Sequence, residues 1–391
     1  MVASVPPSPA KLMPNICTFL KNAGVSLRIH WRSVSCCMNL LYNSLSCLFV
    51  HIFSPVLNKA DKILSIQYLR GLAALGVIFC HFGFALTNYP ALSSAFNLGQ
   101  IGVPVFFFIS GFIIVYALEQ SGYRVDQFFT FLIKRSIRID PPYWAMIMLY
   151  IFLGYLLNHL PSYKGVPFQF DLGQLIAHLF YAVPFTKYQF YNHIFWTLCV
   201  EFQFYILIGL LYFLSINKVY RTIFLIAFGA MNLFHFNGDA LIFNYSAIFA
   251  LGISFVIFCN NRTRLNAILP ALLICLIFFC HGFAVAIVLL IACIAVMLAN
   301  VQAKPLYFLG NISYSLYLTH SLVFEICNGV FKRLAIVQFQ LLSFGIELTV
   351  TILFSWLFYL LVEKPSIRLS KNFIYQRTSR LPVKGSSMQT R

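Results

Sequence analysis

Two polar side chains stand inside one apolar stretch, LSIQYLRGLAALGVIFCHFGF, at residues 64–84. Arg70 and His81 are eleven residues apart, so on a helix they share a face and lie about 16 Å apart along its axis. Charged or titratable groups in a membrane helix usually face a bundle interior or a cavity and indicate a functional site. A buried histidine is expected to be neutral and able to accept a proton. The alternative is that Arg70 reaches to the interface and His81 is hydrogen-bonded to a neighbouring helix.

A second basic pair precedes two prolines in the segment KRSIRIDPPYW. Arg135 and Arg138 are three residues apart, so on a helix they lie on one side. We expect Pro141 and Pro142 to fix the entry of the chain into a membrane span, which places both arginines at its cytoplasmic mouth. Paired guanidinium groups bind phosphate oxygens through bidentate hydrogen bonds. The phosphates of a ligand and those of membrane lipid are both open as the target.

Three further polar side chains lie in apolar segments where each needs a partner. Glu201 follows Trp196 by five residues in FWTLCVEFQFY, and a carboxylate at that depth requires a donor or a cation. In NISYSLYLTH, Tyr317 and His320 lie on one helical face, with His320 near mid-membrane at a depth similar to that of His81. The two histidines are therefore expected to line one cavity, with Glu325 as an outer partner of His320. A packing role for His320 is the alternative.

The composition is that of a membrane protein. The chain has 391 residues, of which 60% are hydrophobic and 9% charged, and its mean hydropathy is +0.83. A soluble protein would carry about a quarter charged residues. Its eleven cysteines form no CxxC pair, so the sequence predicts neither a metal site nor a disulfide framework.

Apolar runs of spanning length recur along the chain and predict an all-α, polytopic membrane bundle of about ten transmembrane helices. A shorter apolar stretch at 174–186 is expected to be re-entrant or interfacial. Only Cys280-His281-Gly282 indicates a turn between the seventh and eighth spans, so one long helix is an alternative there. The ten predicted spans are 65–87, 100–118, 142–160, 195–215, 220–236, 240–259, 267–282, 283–300, 306–330 and 341–362.

The basic residues give the orientation. With the first span running outward from the cytoplasm, 23 of the 27 Lys and Arg residues lie in cytoplasmic segments and four lie outside, as the positive-inside rule requires. This distribution accounts for the net charge of +17 without a nucleic-acid partner and leaves attraction to anionic membrane lipid. Both termini are then cytoplasmic.

The chain divides into three regions. Residues 1–58 are expected to be a disordered or interfacial extension, 59–368 the membrane domain, and 369–391 a basic cytoplasmic tail. We see no internal repeat and no linker to a soluble domain.

Several motifs occur in an order that resembles the acyltransferase 3 family, over about residues 62–368. They look most like those of exopolysaccharide acetyltransferases of the succinoglycan type. Two features depart from the family pattern: Pro104, where a branched or acidic residue is frequent, and the extension 1–58. The motifs are IQYLRGLAAL with His81 eleven residues after its arginine, GVPVFFFISGF, RSIRIDPPYW, WTLCVEFQFY, GNISYSLYLTH and VEKP.

The resemblance implies a multi-pass enzyme of the bacterial inner membrane that moves an acyl group, usually acetyl, from cytoplasmic acyl-CoA to a hydroxyl of an exopolysaccharide or other surface glycan. It implies that Arg70 and His81 are the essential pair and that Arg135 and Arg138 lie near the donor. We expect His81 to act as general base or acyl carrier, and we place Glu201 with it as a catalytic residue. Trp196, Tyr317 and His320 are expected to bind substrate.

The implied partners are acyl-CoA, a free or lipid-linked glycan, membrane lipids and proteins of polysaccharide synthesis. Acetyl-CoA serves as donor, and we expect no permanently bound cofactor, no metal and no nucleic acid. The bundle either completes the transfer or hands the acyl group to a separate protein.

Two other functions remain open from the residues alone. A transporter of a solute or lipid-linked glycan would also use intramembrane His, Glu and Arg, although no inverted repeat supports one. A structural component of a polysaccharide-synthesis complex would need no chemistry of its own.

Overall fold

The structure, a computed structural model, describes residues 59–159, 167–215, 217–234, 236–298 and 303–373. The described residues include neither the predicted extension 1–58 nor most of the basic tail. They also exclude Lys164 and Ser379. Within them every regular element is helical, and fourteen α-helices, α1 to α14, follow one another. In chain order their bounds are Lys59–Gly83, Pro90–Asn97, Gly102–Ser121, Phe128–Asn158, Leu172–Leu179, Trp196–Leu211, Lys218–Ala230, Ser246–Asn260, Arg264–His281, Phe283–Leu298, Lys304–Asn311, Ser313–Arg333, Gln340–Phe358 and Lys364–Ser370.

Within the described residues, each of the ten predicted spans overlaps with helix. By length and composition, five helical segments are able to cross a membrane, and two shorter apolar helices, Asn266–His281 and Phe283–Met297, accompany them. The all-helical membrane architecture is thus confirmed, while the count of ten and the orientation stay predictions. The five segments are Leu64–Gly83, Pro90–Ser121, His193–Leu214, Ile242–Asn260 and Gln340–Ser370.

Three boundaries differ from the sequence prediction or resolve its alternatives. The seventh and eighth spans are separate helices, because Gly282 adopts a φ of 88° that ends α9. The ninth span is divided at Ile312 into α11 and α12. The last span continues through a π-helical turn, Tyr359–Glu363, into α14, and such turns are frequent at functional sites.

The centre of the bundle is the contact between α3 and α8. A Cβ atom on Gly111 would lie 2.4 Å from the Phe249 carbonyl oxygen, and one on Gly252 would lie 2.3 Å from that of Phe108. Only glycine permits such a close approach of two backbones. The glycine-rich motif in α3 therefore serves helix packing.

Burial separates this centre from the periphery. The apolar window of segment Ile242–Asn260 is 83% buried, whereas that of Gln340–Ser370 is 22% buried. Exposed apolar side chains, including Phe152 at 63% and Leu361 at 67%, are typical of helices that meet lipid.

Helix α1 is held firmly where it carries its polar residues. A Cβ atom on Gly310 of α11 would lie 2.1 Å from the Gln67 carbonyl oxygen, so the two helices touch through their backbones. The Gln67 amide also donates a 2.9 Å hydrogen bond to the side-chain oxygen of Asn311. These contacts fix α1 one turn from Arg70.

The apolar stretch at 174–186 forms the short helix α5 and a 3₁₀ turn, Val183–Phe185. Asp171 caps α5 by accepting a 3.0 Å hydrogen bond from the Gln174 backbone N–H, an arrangement that satisfies one free donor at the helix start.

Candidate active site

The structure brings together two histidines from helices that are distant in the sequence. His81 lies in the last turn of α1 and His320 lies in α12, and their ring centroids are 4.9 Å apart with the rings edge to face. His320 is completely buried and His81 is half-buried. The similar depth expected from the sequence is realised as a direct contact. We call His81 and His320 the histidine pair.

Hydrogen bonding fixes the tautomer of His320. Its Nδ1 atom lies 2.7 Å from the Tyr317 carbonyl oxygen and 3.3 Å from that of Leu316. Because a carbonyl oxygen only accepts, Nδ1 carries a proton, and Nε2 of the neutral ring is an acceptor. This buried Nε2 atom has no hydrogen-bond partner among the described residues. Since buried polar atoms are rarely unpaired, His320 holds an unused acceptor inside the bundle.

Tyr317 connects the histidine pair to the start of α6. Its hydroxyl lies 2.8 Å from Thr197 Oγ1 and donates a 3.3 Å hydrogen bond to the Ile194 carbonyl oxygen. Its ring centroid is 5.8 Å from that of His320. Tyr317 therefore forms a buried wall beside His320 while its hydroxyl is held by protein groups.

Trp196 lies among aromatic side chains of the central helices. Its ring centroid is 5.4 Å from that of Tyr245 and 6.1 Å from that of Phe107. Both neighbours belong to the region where α3 meets α8. None of the ring contacts described for Trp196 involves the histidine pair, and its expected role in substrate binding stays a prediction.

Charged groups gather around Arg70, which lies near the middle of α1. Arg70 is half-buried and interacts electrostatically with Arg138, Glu363 and Glu201. It also donates a long hydrogen bond, 3.5 Å, to the side-chain oxygen of Gln67. Arg70 precedes His81 by eleven residues, or about 16 Å along α1. We call Arg70, Arg138, Glu201 and Glu363 the arginine end.

Glu363 closes the π-helical turn and caps another helix. Its Oε2 atom accepts a 2.6 Å hydrogen bond from the Ser315 hydroxyl and a 3.1 Å bond from the Ser315 backbone N–H. Ser315 is in the first turn of α12, where backbone N–H groups lack helical partners and favour a negative charge. Glu363 is therefore held by α12, while its charge acts on Arg70 and Arg138.

Glu201 receives two short hydrogen bonds. The Ser110 hydroxyl donates at 2.6 Å and the Tyr205 hydroxyl at 2.5 Å, both to Oε1. The structure places Glu201 beside the arginines, because α4 carries Arg135 alongside Glu201 and Tyr205. The expected catalytic role of Glu201 stays a prediction.

The helix that carries Arg135 and Arg138 begins earlier than expected. α4 starts at Phe128 and runs through Pro141 and Pro142, so both arginines lie within a helix rather than at its entry. The preceding residues, FFTFLI at 128–133, are mostly apolar and extend the helix upstream of the predicted span. The two prolines remove the donors that the Ile137 and Arg138 carbonyls would use.

Aromatic rings support Arg135. Its guanidinium carbon lies 5.7 Å from the Phe131 ring centroid and 5.9 Å from that of Tyr205, within the range of cation–π attraction. Arg138 has no hydrogen-bond or ion-pair partner among the described residues. The pair therefore occupies two environments, one against rings and one in the field of Arg70 and Glu363.

A small cleft opens between α4 and α6 beside the arginine end. Its wall includes Asp140, whose carboxylate accepts a 2.8 Å hydrogen bond from Tyr181. Tyr181 has a φ of 56°, an uncommon backbone conformation for a bulky residue. His81 is not among the lining residues, which are Arg135, Ser136, Ile139, Asp140, Tyr181, Leu198, Glu201, Phe202 and Tyr205.

Ser321, which follows His320 in the sequence, belongs to a polar network. The Asn192 amide donates hydrogen bonds to Ser321 Oγ at 2.8 Å and to the Tyr150 hydroxyl. Ser321 also hydrogen-bonds with Glu325. Glu325 was expected to partner His320, but the structure places it with Ser321, because position 325 is five residues beyond 320 and lies off that face.

Sequence reasoning missed the hydroxyl groups that hold the carboxylates: Ser110, Tyr205, Ser315 and Tyr181. A single serine within an apolar run, as in FFFISGF, was the available signal for Ser110. Glu363 was noticed in VEKP but not connected to Arg70. The described residues contain no group of three His, Cys, Asp or Glu that could hold a metal ion, and the absence of a metal stays a prediction.

Comparison with known proteins supports one family. The acyltransferase 3 family model, described as "Acyltransferase domain", matches residues 63–360. A protein of Acidianus two-tailed virus named "Putative acetyltransferase ORF330" is 28% identical over 300 residues, which cover 68% of this chain and 84% of the relative. No solved structure matches the chain.

Proposed function

Because this chain belongs to the acyltransferase 3 family and is a membrane protein, we propose that it is an O-acetyltransferase of the bacterial inner membrane. It moves an acetyl group from cytoplasmic acetyl-CoA to a hydroxyl of an exopolysaccharide or other surface glycan. The observation that carries this proposal is that α1 bears Arg70, amid charged groups, and His81, against the unpaired acceptor of His320.

The arginine end supports the donor side of the reaction. Acyl-CoA carries phosphates, which guanidinium groups bind through charge-assisted hydrogen bonds. Glu363 accepts its hydrogen bonds from Ser315 rather than from Arg70 or Arg138, so it occupies the N–H groups of neither arginine. Arg135, at the rim of the cleft, adds a third guanidinium.

The histidine pair supports the chemical step. His81 takes the proton of the acceptor hydroxyl, and the hydroxyl oxygen attacks the thioester carbonyl carbon. The carbon–sulfur bond then breaks, and the CoA thiolate takes the proton from His81. General-base catalysis of this kind contributes about 10²- to 10⁴-fold to a rate.

Purified protein incubated with radiolabelled acetyl-CoA tests the proposal. We expect thioester hydrolysis or transfer of label to glycan by the wild type. Mass spectrometry of surface glycans from cells with and without the protein then identifies the modified hydroxyl. A folded wild-type protein that neither hydrolyses acetyl-CoA nor transfers label would contradict the proposed enzyme activity. Transport would then be the better explanation of the polar residues.

The sidedness of the proposal has its own test. Single cysteines at positions 124 and 379 should react with impermeant thiol reagents only from the cytoplasm, and one at position 164 only from outside, because the basic residues follow the positive-inside rule. Labelling with the sides exchanged would place the arginine end away from cytoplasmic acyl-CoA.

A further inference from the structure

Two buried histidines of this chain show how the fold treats an imidazole. His178 in α5 and His320 in α12 are both completely buried. In each ring Nδ1 is bound to a backbone carbonyl oxygen of its own helix, at 2.8 Å from Gln174 and at 2.7 Å from Tyr317. Each Nδ1 therefore carries the proton, and each Nε2 is left as an acceptor.

The two rings differ only at Nε2. His178 Nε2 accepts a 3.0 Å hydrogen bond from the Tyr191 backbone N–H, which joins α5 to the following loop. Burial lowers the pKa of His178, and the ring remains a neutral bridge between two backbone groups. His320 Nε2 has no such donor among the described residues.

The ring against His320 is that of His81. Their centroids are 4.9 Å apart at an interplanar angle of 67°, so the edge of one ring, where its N–H and C–H groups lie, meets the other ring. His81 is the more exposed member of the pair. His81 thus brings a ring with an N–H donor against the ring that holds the vacant acceptor. Hydrogen bonds between catalytic groups are often long without substrate and tighten when it binds.

We propose that His320 is a positioning residue whose Nε2 accepts the ring N–H of His81 when substrate is bound, which leaves the other ring nitrogen of His81 unprotonated and directed at the acceptor hydroxyl. This inference rests on the proposed function. It follows the general logic in which a nucleophile or base is oriented by a third group, with a neutral histidine as the orienting group.

The proton balance is simple. The hydroxyl proton passes to the free nitrogen of His81, the new carbon–oxygen bond forms, and the carbon–sulfur bond breaks. His81 returns the proton to the thiolate. His320 accepts one hydrogen bond throughout, which strengthens while His81 is charged, and its own protonation does not change.

Two substitutions of His320 separate the positioning role from packing. His320→Gln keeps an acceptor oxygen near the position of Nε2, whereas His320→Asn keeps a polar group near Nδ1 but does not reach Nε2. We expect His320→Asn to lower kcat by about a hundredfold, the lower end of the range for general-base catalysis. His320→Gln should stay within about tenfold of the wild type, and KM for acetyl-CoA should be unchanged in both.

The same substitutions at His178 provide a matched control. His178→Gln and His178→Asn should lower the melting temperature of the purified protein but leave kcat of the folded protein unchanged. Folding of every variant is followed by gel filtration and thermal unfolding. His320→Gln remains informative if His320→Asn does not fold, because only an acceptor role predicts that it keeps activity.

Three results would overturn the inference. The first is a folded His320→Asn variant with wild-type kcat. The second is a His320→Gln variant that is as inactive as His81→Ala, which would make His320 a proton carrier. The third is equal loss of kcat from the His178 variants, which would indicate packing. Failure of the proposed function is distinguishable, because then the wild type itself does not turn over acetyl-CoA.

Discussion

The two polar regions along helix α1, the arginine end and the histidine pair, are built in opposite ways. At the arginine end each carboxylate receives hydrogen bonds from hydroxyl groups: Glu201 from Ser110 and Tyr205, and Glu363 from Ser315. At the histidine pair the buried Nε2 atom of His320 receives none among the described residues. One end satisfies its charged groups with neutral partners, and the other leaves an acceptor open.

This difference separates binding from reaction. A ligand that carries charge is held best by groups already fixed in place, because little ordering is then required on binding. A reacting proton needs an acceptor that the protein has not itself used. Leaving a buried acceptor unpaired costs about 1–3 kcal/mol, a cost that persists where the surrounding fold imposes it at a functional site.

Removing His81 should have the largest effect. His81→Ala deletes the proposed base, and we expect kcat for acetyl transfer to fall by at least about a hundredfold. Membrane insertion should be unaffected because α1 loses no apolar length. His281→Ala is a matched control, since His281 is also partly buried in an apolar helix but hydrogen-bonds with Asn232 at 3.2 Å. Near-normal transfer by His81→Ala would remove the distinction between the two ends.

Removing a guanidinium should affect binding rather than turnover. We expect Arg138→Ala and Arg135→Ala each to raise KM for acetyl-CoA by about ten- to a hundredfold, since one charge-assisted hydrogen bond contributes about 1.5–3 kcal/mol. Arg124→Ala is the control, because Arg124 is exposed and pairs with Asp126 at 3.4 Å. Unchanged KM in both variants would assign the arginines to lipid phosphates.

A hydroxyl that holds a carboxylate should matter mainly for stability. Tyr181→Phe removes the hydrogen bond to Asp140, and we expect the free energy of unfolding to fall by about 1–3 kcal/mol. The change is read as a lower melting temperature, with kcat reduced no more than about threefold. Tyr89→Phe, at a residue 42% exposed, is the control. A large loss of kcat without destabilisation would show that Asp140 belongs to the chemistry.

Much of the fold was predictable because a membrane restricts the backbone to a few forms. Apolar runs must be helices where no water is available to backbone groups, and the predicted spans accordingly coincide with helix. The start of α4 was not predictable from Pro141 and Pro142. A proline indicates only that a local backbone hydrogen bond of the helix is lost. Tertiary packing around residues 128–140 decides whether a helix continues through them.

The candidate site divides in the same way. Helical spacing predicted that Arg70 and His81 share one face. Their similar depth in the membrane predicted that His81 and His320 lie close together. The serine partners of Glu201 and Glu363 come from α3 and α12, at 91 and 48 positions' separation, and no local pattern encodes these two pairings. For Trp196 the sequence motif suggested substrate binding. In the structure, the packing of α3 and α8 accounts for its position.

The smallest effect is expected at Trp196. Trp196→Phe keeps an aromatic ring between Phe107 and Tyr245, so kcat and KM should both stay within about threefold, with a modest decrease in melting temperature from lost packing. Steady-state acetyl transfer at varied donor and acceptor concentrations measures this. A rise of KM for the glycan alone, with the melting temperature unchanged, would mean that the indole binds the acceptor as the sequence predicts. The acceptor would then approach the histidine pair along α6, and α6 would form a third functional region beside the arginine end and the histidine pair.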